Sequence, residues 1–132
     1  MNLPYFGEGA RFHHVGLAVS AIRDVCPGCE TTHDPIQRVN VAFVSLNGLD
    51  VELIEPADAS SPVTASLEKG IKLLHVCYEV DDMEATLREC RRHGFHVIRQ
   101  PAPATAFDRQ RIAFVFSRTF GVVELLERGS EA

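Results

Sequence analysis

The chain reads as an α+β protein built from two copies of one strand-rich unit. Three observations carry that reading: an internal repeat, a succession of short apolar strands, and a well-delimited helix for which only the second copy has room. FHHVGLAV at 12–19 is answered by LLHVCYEV at 73–80, and AFVSLNGLDVELIE at 42–55 by AFVFSRTFGVVELLE at 113–127, in the same order. The paired histidines, His14 and His75, are 61 residues apart, whereas the paired glutamates, Glu52 and Glu124, are 72 apart. The second copy is therefore the longer one between its matching pieces.

The strands follow in order at 11–19, 38–46, 49–55, 72–80, 95–99, 110–117 and 121–127, all rich in Val, Ile, Leu and Phe. Asn47-Gly48 is a two-residue hairpin signal joining the second and third. In the first copy 28 residues separate His14 from Ala42, and Pro27, Gly28 and Pro35 interrupt them, so a loop or at most one helical turn is expected there. In the second copy 38 residues separate His75 from Ala113. That space holds a helix from Asp82 to His93, with Asp81 and Glu84 spaced as a capping box and Gly94 as its stop. Between the copies, Pro62 to Gly70 reads as a linking helix, with Pro near its start and Gly past its end. At 132 residues there is room for one domain, 1–132, with module one at about 11–56, the linker at 62–70 and module two at about 72–128. The two modules are expected side by side as a curved mixed sheet.

Alternation along a strand places His14 on the face of Gly16 and Ala18, and His75 on the face of Cys77. Glu52 shares a face with Ile54, and Glu124 with Leu126, so each carboxylate stands among apolar neighbours. An ionised carboxylate in such surroundings costs several kcal/mol unless it is paired or bound to a cation. One such residue would read as a satisfied core histidine or a solvated acid. The same types at matching points of both copies instead point to a shared divalent metal site of His14, Glu52, His75 and Glu124. Two neutral imidazoles and two carboxylates suit Zn, Co, Ni, Mn or Fe, with positions left for water or substrate oxygens if the ion is six-coordinate. Such an ion polarises a carbonyl and steadies the enolate formed when the neighbouring carbon loses its proton.

The strings HHVGLAV, VELIEP, LLHVCYEVDD and GVVELLE, in that order from about Phe12 to Glu127, resemble the vicinal oxygen chelate superfamily with its glyoxalase fold, and within it the methylmalonyl-CoA epimerases. The resemblance implies paired β-α-β-β-β modules around a metal-binding cavity, with the first helix reduced or lost in this chain. It implies His14, Glu52, His75 and Glu124 as metal ligands and a proton shift beside a carbonyl. Glu124, and after it Glu52, is the expected catalytic base, as a ligand carboxylate that swings off the ion to take the proton. The substrate class is a small carbonyl compound, with an acyl-CoA as one candidate, and homodimerisation is expected by analogy. Two departures bear on the substrate: the family's GAHG stretch reads AFDR at 106–109, and its HPK reads Ser117-Arg118-Thr119. Alternatives on the same fold are a non-catalytic binding protein of the resistance type and an Fe(II) ring-cleaving dioxygenase. A fourth protein ligand would crowd the positions that a dioxygenase leaves open.

Arg109 and Arg111 stand near the expected cavity mouth as candidates for a substrate carboxylate or phosphate, against the plainer reading of a solvated strand edge. Cys77, one face-step from His75, is a candidate lining residue, with core packing as its plainer role. His13 faces away from His14, and His93 and His96 flank a helix stop. Cys26-Pro-Gly-Cys29 followed by His33 has the form of a zinc or redox motif, but a tight turn with reduced, partly buried thiols is the expectation. The formal net charge of -5, with 13 Lys and Arg forming no run, argues against nucleic acid. No apolar stretch approaches the roughly 20 residues that span a bilayer, and the N-terminus lacks a basic start and apolar run, so a cytoplasmic protein is expected.

Overall fold

The computed structural model describes residues 1–129. It is an α+β protein with eight strands among the described residues. Strands β1 (Arg11–Ala18), β3 (Val39–Leu46), β4 (Leu49–Pro56), β5 (Leu73–Val80), β7 (Arg111–Ser117) and β8 (Gly121–Glu127) fall where the apolar alternation places them. Asn47 and Gly48 turn the β3–β4 hairpin with φ of 49° and 91°, the left-handed pair that this connection requires.

Two strands go beyond the expectation. β2 (Thr32–Asp34) lies in a stretch read as loop, and it pairs antiparallel with β3, His33 opposite Asn40. Three residues, all with polar side chains, carry no periodicity to read, so pairing with the neighbouring strand makes this segment extended. β6 (His96–Pro103) runs past the expected stop at 99, with register breaks between Val97 and Arg99 and between Arg99 and Ala102. It ends the strand order, where bulges and prolines are tolerated.

The helices are short. α1 is the single turn Ile22–Val25. α2 (Pro62–Glu68) begins at the N-cap Ser61, and Gly70 beyond its end takes φ of +74°. α3 (Met83–Arg91) corrects the capping expectation by one residue: Asp82, not Asp81, is the N-cap and accepts from Ala85 N at 3.0 Å. Asp81 is held instead by Arg128, and Glu84 by Arg111. Among the described residues no helix is long and apolar enough to cross a membrane.

The chain folds as two compact units. One comprises His14–Leu74 with Thr105–Asp108; the other comprises Met1–His13, His75–Ala104 and residues 109–129. In the first, strands run in the order β2-β3-β4-β1, with β1 and β4 parallel and β3 and β4 antiparallel. One face of this sheet packs under α1 through Ile22, Ala42, Val51 and Leu53, and the other under α2 through Ala18, Val41, Ile54 and Val63. In the second unit the order is β5-β8-β7-β6, with the same parallel and antiparallel relations. Its core sets Met83, Leu87 and Cys90 of α3 against Val80, Val115, Val123 and Leu125. The internal repeat in the sequence is thus a repeat of strand order and of register.

Candidate metal centre

In the first unit, parallel pairing sets Gly16 of β1 opposite Glu52 of β4. His14, two residues before Gly16, therefore projects from the same face as the Glu52 carboxylate. His14 Nε2 and Glu52 Oε1 are 3.3 Å apart. Both residues are buried, with 0% and 5% of their surface exposed. On the other side of β4, antiparallel pairing sets Phe43 opposite Glu52, and the Phe43 ring meets the His14 imidazole edge-on at 5.6 Å between centroids.

The second unit repeats each step. Cys77 of β5 is opposite Glu124 of β8, His75 stands two residues before it, and His75 Nε2 lies 3.3 Å from Glu124 Oε1. Exposure is 7% and 2%. Phe114 of β7 is opposite Glu124, and its ring meets His75 edge-on at 5.6 Å. Each unit thus presents one imidazole and one carboxylate, side by side, on a buried apolar face.

That geometry fits the edge of a metal's coordination shell. Two donors each ~2.1 Å from an ion lie about 3.0 Å apart at an octahedral angle and about 3.4 Å apart at a tetrahedral one. The observed 3.3 Å in both units falls in that interval. The donor chemistry agrees, since a cation supplies the charge that a carboxylate buried to this extent requires.

Three further features around the two pairs were not singled out in the sequence. Phe43 and Phe114 wall the two pairs, and the signal was present, since they occupy matching places in AFVSL and AFVFS. Phe107, from the 3-10 turn Thr105–Phe107, stacks on His14 at 5.8 Å and 24° and touches Phe43; it has no counterpart in the repeat and left no signal. The third feature is a second carboxylate on each ligand strand. Glu55 accepts from Ile22 N at 2.7 Å, and Glu127 accepts from Met83 N at 2.9 Å, so each ties the first residue of a helix to the strand that carries Glu52 or Glu124. The repeated E-x-x-E of VELIE and VELLE was its trace. Even the partners match in place: Asn40 donates to Glu55, and Arg111 to Glu127.

That last contact locates Arg111. It is in register with Glu127, on the sheet face opposite Glu124, and forms ion pairs with Glu127 and Glu84, each at 2.9 Å. Hydrogen bonds from Arg111 hold the Glu127 carboxyl below the usual carboxylate range, with the Met83 amide assisting against burial, and the guanidinium is shifted upward in turn. Arg109 sits beside Asp108 in left-handed backbone, φ 64° and 52°, with its amide bonded to Ala104 O. Cys77 is fully buried and faces the same way as His75. His33 bonds Asn40 through Nδ1.

The expectation of reduced thiols at Cys26 and Cys29 is overturned: the two are joined in a disulfide. The Pro27-Gly28 turn is the reason. Cys29 N reaches Cys26 O at 3.1 Å, which brings the two Cα atoms to 5.4 Å, within disulfide range. Cys77 and Cys90 are both buried.

The chain is similar to known proteins along most of its length. The model of the Glyoxalase/Bleomycin resistance protein/Dioxygenase superfamily matches residues 13–114. An ethylmalonyl-CoA/methylmalonyl-CoA epimerase of Cereibacter sphaeroides is 27% identical over 128 residues, covering 87% of this chain and 96% of that protein. The uncharacterized protein YqjC of Bacillus subtilis is 34% identical over 129 residues, covering 89% and 91%. Among solved structures, a Streptomyces coelicolor methylmalonyl-CoA epimerase in complex with 2-nitronate-propionyl-CoA superposes with a TM-score of 0.69 at 22% identity, covering 91% of this chain and 98% of that one. At that identity the likeness speaks for the fold.

Proposed function

The chain belongs to the glyoxalase/bleomycin resistance protein/dioxygenase superfamily, and from that premise we propose that it is a divalent-metal-dependent epimerase or isomerase that shifts a proton on the carbon beside a carbonyl. The proposed substrate class is an acyl-CoA thioester. The observation that carries the reading is the buried His–Glu pair, repeated with one separation and one register: His14 with Glu52, and His75 with Glu124. On this reading all four side chains serve one ion, the two imidazoles through Nε2 and the two carboxylates through one oxygen each. When bound, the ion supplies Lewis acidity, which lowers the cost of removing a proton next to a carbonyl.

The remaining work belongs to the chain. Glu124 is the proposed proton acceptor, with Glu52 as its counterpart. A carboxylate that takes the proton from one face of the carbon, with the proton returned to the other, inverts that centre with no net change in composition. Phe43, Phe107 and Phe114 restrict water around the imidazoles and favour a compact acyl group beside them. An acyl-CoA substrate is supported by the names of relatives, an ethylmalonyl-CoA/methylmalonyl-CoA epimerase among them.

Elemental analysis of chelator-free wild type, His14→Ala and Glu124→Gln is the test, followed by incubation with methylmalonyl-CoA in deuterated water. The expected result is one transition-metal equivalent in wild type, less in both variants, and deuterium at the carbon beside the carbonyl with wild type only. Metal content unchanged in both variants would refute the site. Metal bound as expected but no deuterium entering any acyl-CoA would refute the reaction and favour a binding protein.

A further inference from the structure

We propose that Cys26 and Cys29 form a reversible thiol–disulfide exchange centre, distinct from the His–Glu pairs, whose co-reactant is a low-molecular-weight thiol of the glutathione class. The bridge closes a turn of two intervening residues, Pro27 and Gly28. A loop that short removes less chain entropy than a long one, so the cross-link contributes less as a structural staple than a bridge between distant residues would. Closely spaced C-x-x-C pairs are instead the arrangement in which the bridge opens and recloses readily, because the second thiol is always at hand to resolve a mixed disulfide.

Access separates this pair from the other two cysteines. Pro27 and Gly28 are exposed, Cys26 and Cys29 are half-buried, and a Cβ built on Gly28 would meet nothing within 4 Å. An attacking thiolate has an open approach to the turn. Cys77 and Cys90 are both 0% exposed, so neither can take part while the protein is folded. Position gives the bridge a structural consequence. Cys26 is the C-cap of α1, its amide bonding Ile22 O at 2.8 Å, and Cys29 packs against the core of Ile22, Ala42, Val51 and Leu53. Where the second unit has the nine residues of α3, the first has one helical turn closed by a covalent link.

In the exchange, a thiolate attacks one bridge sulfur. The S–S bond breaks as a mixed disulfide forms, and the released cysteine takes a proton. A second thiol then attacks the mixed disulfide. Two thiols are oxidised to one disulfide, while the Cys26–Cys29 bridge gains two electrons and two protons.

The test equilibrates the full chain in glutathione buffers of graded thiol-to-disulfide ratio, alkylates it in the native state and locates the adducts by mass spectrometry. The expected result is that the ratio of open to bridged Cys26–Cys29 changes at least tenfold across the series, with Cys77 and Cys90 unlabelled throughout. A bridge that stays closed in every buffer would overturn the proposal, as would full labelling of Cys26 and Cys29 without reductant. Cys29→Ser provides a second measurement. Its remaining Cys26 thiol should trap a mixed disulfide with glutathione, and a folded variant that forms none would equally overturn the centre.

Discussion

Glu124 and Glu127 show how much one side chain's surroundings decide. Both are glutamates of β8, yet Glu124 lies beside an imidazole and Glu127 beside a guanidinium and a helix amide. Because the folded carboxyl of Glu127 titrates below its ordinary value of 4.5, the pairing stabilises the fold fully above about that pH. The contribution is lost as pH falls through the lower, folded value. Glu127→Gln should therefore cost about 1–2 kcal/mol at neutral pH, after discounting for the partly exposed Arg111, and should flatten the loss of stability in acid. Urea unfolding across the acid range measures both; an unaltered acid slope would assign that loss to other carboxylates. The four candidate ligands stood out in the sequence because duplication marks each residue type twice. Phe107 was not, because its contact with His14 depends on where a loop distant in sequence comes to rest.

At the level of elements, strand positions were legible from alternation, and the collapse of the first helix from its prolines and its length. The N-cap of α3 was misplaced by one because Asp81 and Asp82 are chemically identical neighbours. What separates them is Arg128, which binds Glu79 and Asp81 from the far end of the unit's chain and leaves Asp82 to receive the Ala85 amide. No local pattern contains that choice. Asp82→Ala should lose about 1 kcal/mol through the cap. Asp81→Ala, an exposed ion-pair partner, should lose less in the same urea titration. The reverse order would return the cap to Asp81. Strand β2 was missed for a related reason, since its extended form comes from pairing with β3.

For the whole molecule, the proposed ion predicts a linkage. A ligand that binds only the folded chain stabilises it by about 2.7 kcal/mol at a free concentration 100 times its dissociation constant. Wild type should accordingly unfold at a higher temperature with Co(II) or Zn(II) than with chelator. His75→Ala should stay folded and lose that difference; a shift of equal size in the variant would place the ion elsewhere. The two glutamates on each ligand strand also bear on which changes of length the protein can accept. Three positions apart, Glu52 and Glu55 emerge on opposite faces, as do Glu124 and Glu127. One residue inserted or deleted between them would put both on the same face, and either the imidazole or the helix would lose its carboxylate. The connecting segments are under no such constraint. The two copies differ by eleven residues between histidine and glutamate, with a whole helix gained or lost, while the spacing within E-x-x-E is the same in both.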